Sequence, residues 1–373
     1  MESSLAGVRI ADFSRVLAGP YATMLLADLG AEVIKVERPM VGDDTRQWGP
    51  PYDATGAATY FQSVNRNKRS VVLDLATDDG RANARALIAT CDVVVENFVP
   101  GTMEKFGLGY EELSQAQPGL VFASISGFGR TDQAAALPGY DLLVQAMGGL
   151  MSVTGPDTDH PTKVGVALVD VITGLHCAIG ILAALRHRDG TGLGQRVDVS
   201  LLGSTLSAMV NQSGAYVGAD VVPHAMGNAH PSISPYETFD TADQMLALAV
   251  GNDAQFQKCV NVLGLPELAD DPRFATNPQR VANRAELRPL MQAAFLGANA
   301  DHWASRLTAA GVPCGPVNDL AQAFALAAEL GLDPVREIDG VRTVANPIAL
   351  SRTPARYDRR PPTVGDTDIV EVL

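Results

Sequence analysis

Along this chain the hydrophobic positions change period, and the changes divide it into elements. Val8–Phe13 (VRIADF) is a short apolar run and predicts a strand, followed by a loop over Ser14–Pro20. Tyr21–Leu29 carries Met24, Leu25, Leu26 and Leu29 at helical spacing, and Gly30 stops it. Ala31–Glu37 is a second strand. The alternation continues with a strand at Ser70–Leu75, a helix at Asp78–Thr90, a strand at Asp92–Asn97, a helix at Gly109–Gln115 and a strand at Leu120–Ser126. A long helix follows Asp170 and ends near Arg186–Gly190. Arg196–Ser200 alternates like a strand, and Leu201–Val217 resumes a helical pattern. Strands alternating with helices predict an α/β fold built on a parallel sheet.

Composition shifts near Gly218. The following stretch contains a turn-rich segment (Pro223–Pro235), a hydrophobic strand-like run (Met245–Val250) and three helical patterns, at Gln255–Leu263, Asn283–Phe295 and Ala300–Ala310. Val312–Pro316 (VPCGP) reads as a rigid turn, and the basic, Pro-rich Pro354–Pro362 reads as a surface tail. At 373 residues the chain is long enough for two domains.

The formal net charge of −14 argues against a general nucleic-acid or membrane-surface binder. Four cysteines and six histidines show no zinc-ligand spacing, so no metal site is expected. Met1–Arg9 lacks the apolar core of a secretory leader, and a cytoplasmic location is the expectation. The longest apolar stretch, between Lys163 and Arg186, is interrupted by Asp170.

Asp170 is the only ionised side chain in that stretch. An unpaired carboxylate is costly to bury, so its presence needs a reason. One reading makes it the N-cap of the helix that follows. The other makes it a nucleophile that the helix start keeps ionised. A second acid, Asp141 after Gly139 and Tyr140, also opens a helical run and reads as an N-cap on spacing alone. The two acids could face one site.

Basic residues cluster early, at Lys35, Arg38, Arg46, Arg66, Lys68, Arg69 and Lys105. Placed at strand ends, such cations could hold phosphates; the alternative is solvated surface charge. The loop after the first strand presents Ser14, Arg15, Ala18 and Gly19 where α/β sheets bind ligands, yet it is not a G-x-G-x-x-G turn. A nicotinamide dehydrogenase therefore has little support. No G-x-S-x-G elbow is present either, which leaves serine hydrolase chemistry without support.

In order and spacing, several segments together resemble the class III CoA-transferases, the CaiB/BaiF family. They include Ser14–Pro39 (SRVLAGPYATMLLADLGAEVIKVERP), Gly42–Arg46, Asn67–Ser70, Glu96–Gly101, Gly139–Asp141, Thr191–Val197, Gly227–Phe239 and Gly311–Pro316. The resemblance implies a Rossmann-like large domain over 1–217, completed by 333–373, with a smaller α+β domain over 225–325. It implies an interlocked homodimer, no permanently bound cofactor, and CoA or acyl-CoA as substrate together with a free carboxylic acid. Asp170 falls at the family's nucleophile, which forms an aspartyl mixed anhydride and then a CoA thioester. The family's CoA contacts fall on Leu17, Ala18, Arg38, Leu73, Asp74, Leu75, Ala76, Asn97, Phe98, Val99, Lys105, Tyr140 and Asp141.

The chain departs from formyl-CoA transferase at Leu17, Ala76, Lys105 and Pro138, and the glycine-rich loop of that enzyme has no counterpart. A small formyl or oxalyl substrate is therefore not expected. The family's racemase branch needs His before the Asp of Gly-x-Asp, and Tyr140 stands there; tyrosine is a poor proton acceptor near neutral pH. Racemization of a 2-methylacyl-CoA and non-catalytic CoA binding remain the alternatives.

Overall fold

The computed structural model describes residues 3–373; Met1 and Glu2, the start of the segment read for a leader, lie outside the described residues. Six parallel strands form the main sheet: β1 (Arg9–Asp12), β2 (Glu32–Glu37), β3 (Lys68–Val72), β4 (Val93–Glu96), β5 (Val121–Ser126) and β6 (Arg196–Ser200). Their spatial order is β3-β2-β1-β4-β5-β6, the Rossmann order. Strand side chains alternate between the two faces. Ile10, Val93 and Val121 join one core with helix α1 (Ala18–Asp28) and the helix Leu168–Thr191, while their neighbours Ala11, Val94 and Phe122 join the other with Leu87 and Ile88. Both faces are covered, which explains why these strands read as continuous apolar runs.

The helix Leu168–Thr191 has the length and composition of a membrane span, yet Val169, Cys177, Ile181 and Leu185 are buried in the first core. Gly174 permits its approach to α1: a Cβ there would lie 2.6 Å from the Ala18 carbonyl oxygen.

The chain divides into two compact units. The first runs to Met151 and resumes over Lys163–Val221 and Asp333–Leu373; it contains the six-stranded sheet and the hairpin of Val335–Ile338 and Val341–Val344. The second comprises Ser152–Thr162 and Val222–Leu332. The sequence reading left 152–162 in the large domain; a backbone bond from the Gly227 N–H to the Gly155 carbonyl ties it to the second unit, and the bond from Thr162 to Thr154 closes the segment on itself. That unit has its own core around Phe239, Phe256, Phe295 and Trp303. Its sheet is antiparallel, with Cys314–Pro316 as an edge strand beside Met245–Ala249, so VPCGP is not simply a turn. The pattern over Leu201–Val217 also splits, into helices Leu201–Ala208 and Val210–Ala219, because Val210 has a positive φ of 28°.

The early cations are mostly neither free phosphate ligands nor surface charge. The side chains of Lys35 and Lys68 are fully buried. Lys68 Nζ donates to Asp12 Oδ2 at 3.1 Å, and Lys35 Nζ donates to Asp43 Oδ2 at 2.8 Å. Arg66 forks onto Asp28 at 2.9 and 2.6 Å, and Arg46 forks onto Glu37 at 2.8 and 2.6 Å. Burial would raise the Asp12 carboxyl, but Lys68 and Lys35 outweigh it and hold Asp12 below the usual range. Removing one member of a buried pair leaves the other charge uncompensated. Lys68→Met is therefore expected to cost about 3–5 kcal/mol of stability in urea unfolding; a loss well under 1 kcal/mol would mean that Asp12 does not depend on this lysine.

Candidate active site

The order of the sheet reverses between β1 and β4, and the loops leaving these two strands diverge there, which opens a crevice at their carboxyl ends. The loops are clamped to each other. The Arg15 N–H donates to Asn97 Oδ1 at 2.8 Å, and Asn97 Nδ2 donates to the Arg15 carbonyl at 2.7 Å. Val16 has φ 69°, a strained conformation for a β-branched residue, and its N–H is held by the Asp43 carboxylate at 3.3 Å. Two cavities open along this edge. One, of about 230 Å³, is lined by Arg38, Leu73, Asp74, Leu75 and Ala76. The other, of about 310 Å³, is lined by Ala18, Asn97, Val99, Tyr140 and Asp170. Arg15 and Phe98 line both.

Asp170 is the third residue of the helix Leu168–Thr191, not its N-cap. The cap position is Ala167, which has no side-chain acceptor. Asp141 supplies one from outside: its Oδ1 accepts from the N–H groups of Val169 at 2.9 Å and Asp170 at 3.3 Å. Asp141 is likewise not the cap of its own helix, Asp141–Met147, where Tyr140 holds that position. Each acid heads a helix, and neither caps the helix it belongs to. The fully buried Gln145 fixes this arrangement. Its Nε2 donates to Asp141 Oδ2 at 2.6 Å, and its Oε1 accepts from Val164 N–H at 2.8 Å. The Gly139 turn that leads into Asp141 passes so close to Gly127 that a Cβ on Gly139 would meet the Gly127 Cα at 2.7 Å.

The helix start therefore does not hold the Asp170 carboxylate ionised, as the sequence suggested. Burial first, and the Asp141 charge second, push Asp170 up to about 7. The Tyr60 hydroxyl belongs to the same environment, raised to about 12 by burial, then by Asp170, Asp141 and Asp43.

A partly buried, basic carboxylate beside a crevice can act as a nucleophile toward an activated acyl group. The comparisons with known proteins say which group. The model of CoA-transferase family III matches residues 5–368. The chain belongs to CoA-transferase family III. It is 44% identical to the succinate–glutarate CoA-transferase of Agrobacterium fabrum over 97% of this chain and 93% of that one. It is also 44% identical to the succinyl-CoA:glutarate CoA-transferase of Mus musculus, over 90% of this chain and 77% of that one. A solved CaiB/BaiF family protein from Brucella suis superposes with a TM-score of 0.88 at 42% identity, covering 98% of this chain and 97% of that one. The activity is CoA transfer, with an acyl-CoA and a carboxylic acid as substrates.

Within this CoA-transferase the residues singled out by sequence fall into separate places. Arg38 and Leu73–Ala76 line the smaller cavity; Ala18, Asn97, Val99, Tyr140 and Asp170 line the larger, and Phe98 joins them. Three do not line either cavity. Leu17 is buried with Met24 and Val64 against Tyr60, Ala167 and Val171, beneath the start of the Asp170 helix. Lys105 is exposed on the short helix Thr102–Lys105. Asp141 is engaged as the cap. Asn97 lines its cavity while spending its side chain on the Arg15 clamp. Sequence reasoning missed Asp44, Tyr60 and Gln145. Asp44 falls within the quoted Gly42–Arg46 segment, whereas Tyr60 and Gln145 carry no local signal. No cluster of metal-ligating side chains occurs among the described residues.

The raised carboxyl makes a prediction for stability. An unfolded Asp titrates near 3.9, so between about pH 4 and pH 7 folding makes Asp170 take up a proton. That contribution is full below the unfolded value and is lost as pH rises through about 7. Asp170→Asn, which cannot ionise, should melt higher than the parent near pH 8.5, with the gap narrowing toward pH 5. A gap that does not vary with pH would refute the raised carboxyl.

Proposed function

We propose that the chain transfers CoA between short dicarboxylic acids, with Asp170 as the nucleophile. The observation that carries this reading is that the Asp170 cavity and the neighbouring groove share Arg15 and Phe98 in their linings, which sets a groove for an extended ligand beside a basic carboxylate. The dicarboxylate class is brought by the two relatives named for succinate and glutarate.

The steps balance as follows. An Asp170 carboxylate oxygen attacks the thioester carbonyl, the C–S bond breaks, and CoA leaves as thiolate, giving a mixed anhydride. The thiolate attacks the Asp170 carbonyl carbon and releases the donor acid, leaving an aspartyl-CoA thioester. The acceptor carboxylate attacks that thioester, forming a second anhydride and freeing the thiolate. The thiolate then takes the new acyl group and restores Asp170. Both anhydrides hydrolyse readily, so the cavity must exclude water while they exist. Arg38 and Leu73–Ala76 are the residues proposed to hold the nucleotide part of CoA, and Phe98 and Val99 its pantetheine arm. Tyr140 stands where the racemase branch needs His, which weighs against racemization.

Intact-mass analysis after incubation with succinyl-CoA and trapping with hydroxylamine or borohydride tests this reading. A modification at Asp170 is expected, absent from Asp170→Ala and Asp170→Asn. An adduct that persists in both variants would remove Asp170 from the chemistry. Because only the ionised carboxylate attacks, the rate of adduct formation should climb as pH rises through about 7.

We further propose that two chains form an interlocked dimer. Leu175, Ile179 and Leu182 are exposed along one face of the Asp170 helix, and Val210 and Val217 are exposed on the helix Val210–Ala219. Sedimentation should give twice the chain mass, and mixed tagged and untagged dimers should fail to exchange subunits over hours. A monomer would contradict the dimer, and rapid exchange would contradict the interlocking.

A further inference from the structure

Among the described residues, Arg15 is the only cation lining the Asp170 cavity. Its neighbours have strong partners: Lys35 on Asp43, Lys68 on Asp12, Arg46 on Glu37 and Arg66 on Asp28. Arg15 does not. A guanidinium carries five N–H donors. Here one of them reaches Asp44 Oδ2 at 3.4 Å, and Nε, covered from solvent, has no acceptor among the described residues. Asp44 is in turn bonded by Arg38, so two arginines share one carboxylate. The guanidinium lies 5.3 Å from the centre of the Phe98 ring, which holds it at the junction of the two cavities.

A dicarboxylic acyl group brings a second, free carboxylate with it. Asp44, which also lines the cavity, repels that charge, and leaving it unpaired is costly. We infer that Arg15 binds the free carboxylate of a dicarboxylic acyl group while its other end is joined to CoA or to Asp170. A planar guanidinium fork pairs bidentately with a carboxylate, and the shared Asp44 leaves this fork available. Arg15 thereby selects dicarboxylic over monocarboxylic acyl groups of equal length. This inference rests on Asp170 being the site of acyl transfer.

The test compares succinyl-CoA with butyryl-CoA, which puts a methyl group in place of the free carboxylate, using one common acceptor acid and the full-length protein. In Arg15→Met the ratio of kcat/KM for succinyl-CoA over butyryl-CoA should fall about a hundredfold, and Arg15→Lys should recover part of it. Equal losses on both donors would make Arg15 a contact to CoA itself and overturn the inference, as would an unchanged ratio. Circular dichroism and melting establish that each variant folds; if Arg15→Met does not, Arg15→Gln takes its place in the same comparison. Failure of the underlying reading is separable, because a parent protein that forms no Asp170 adduct with either donor still reports the donor ratio.

Discussion

Two lysines buried in adjacent strands, Lys35 on β2 and Lys68 on β3, set the geometry of everything above them. Each needs a carboxylate, and the carboxylates come from the segments that later form the site. Lys68 takes Asp12 at the end of β1, which also accepts from the Ser14 hydroxyl at 2.5 Å and the Thr23 hydroxyl at 2.7 Å. Lys35 takes Asp43 and also donates to the Ser14 carbonyl at 2.9 Å. Asp43 is raised by burial but lowered further by Lys35, down to about 2, and so remains an anion able to hold the Val16 N–H. The turn at 14–17 is thus bonded from below by one pair and from the side by the other. Val16 can keep a left-handed backbone only because this surrounding network determines it.

The network also determines which charge is left over. Glu37 is saturated by Arg46, Ser70 and the Asp43 N–H, and Asp28 by Arg66, Asn67 and Asn346. What remains at the crevice is a pair of arginines, Arg15 and Arg38, sharing Asp44. These two guanidiniums are the cations at the crevice not matched by a carboxylate each, because Lys35, Lys68, Arg46 and Arg66 are paired in place.

The sheet was legible because strands covered on both faces leave unbroken apolar runs such as Val93–Val95, and helix stops such as Gly30 are local. Edge elements were not. Cys314–Pro316 is short and ends in proline, and it counts as a strand only through its pairing with Met245–Ala249. Strand β3 begins at Lys68, two residues earlier than the apolar pattern, because a buried lysine looks like a flanking charge until Asp12, 56 residues away, is placed beside it. Asp170 stood out as an acid in an apolar stretch, and the resemblance marked the strand ends around it. What it could not carry was the crossing of Asp141 onto the other helix, which depends on Gln145 and on the close approach of Gly127 and Gly139.

That crossing bears on the proposed chemistry. A carboxylate saturated by helix N–H groups is easily ionised but weakly nucleophilic, since each hydrogen bond stabilises the lone pairs that must attack. Here Asp141 takes the N–H groups of Val169 and Asp170, and no hydrogen bond to the Asp170 carboxylate occurs among the described residues. Asp170 is left partly desolvated at the cavity wall, near a like charge, and its basicity rises. In the proposed scheme the acylated side chain is neutral, in the anhydride and again in the thioester. Desolvation and repulsion by Asp141 both oppose the ionised free enzyme, and neither opposes the covalent intermediates. In that scheme acylation would relieve the cost of the ionised resting site, favouring the covalent step without any added contact to the acyl group. Asp141 serves twice through a single carboxylate: it organises the helix start, and in the proposed scheme it raises the energy of the nucleophile.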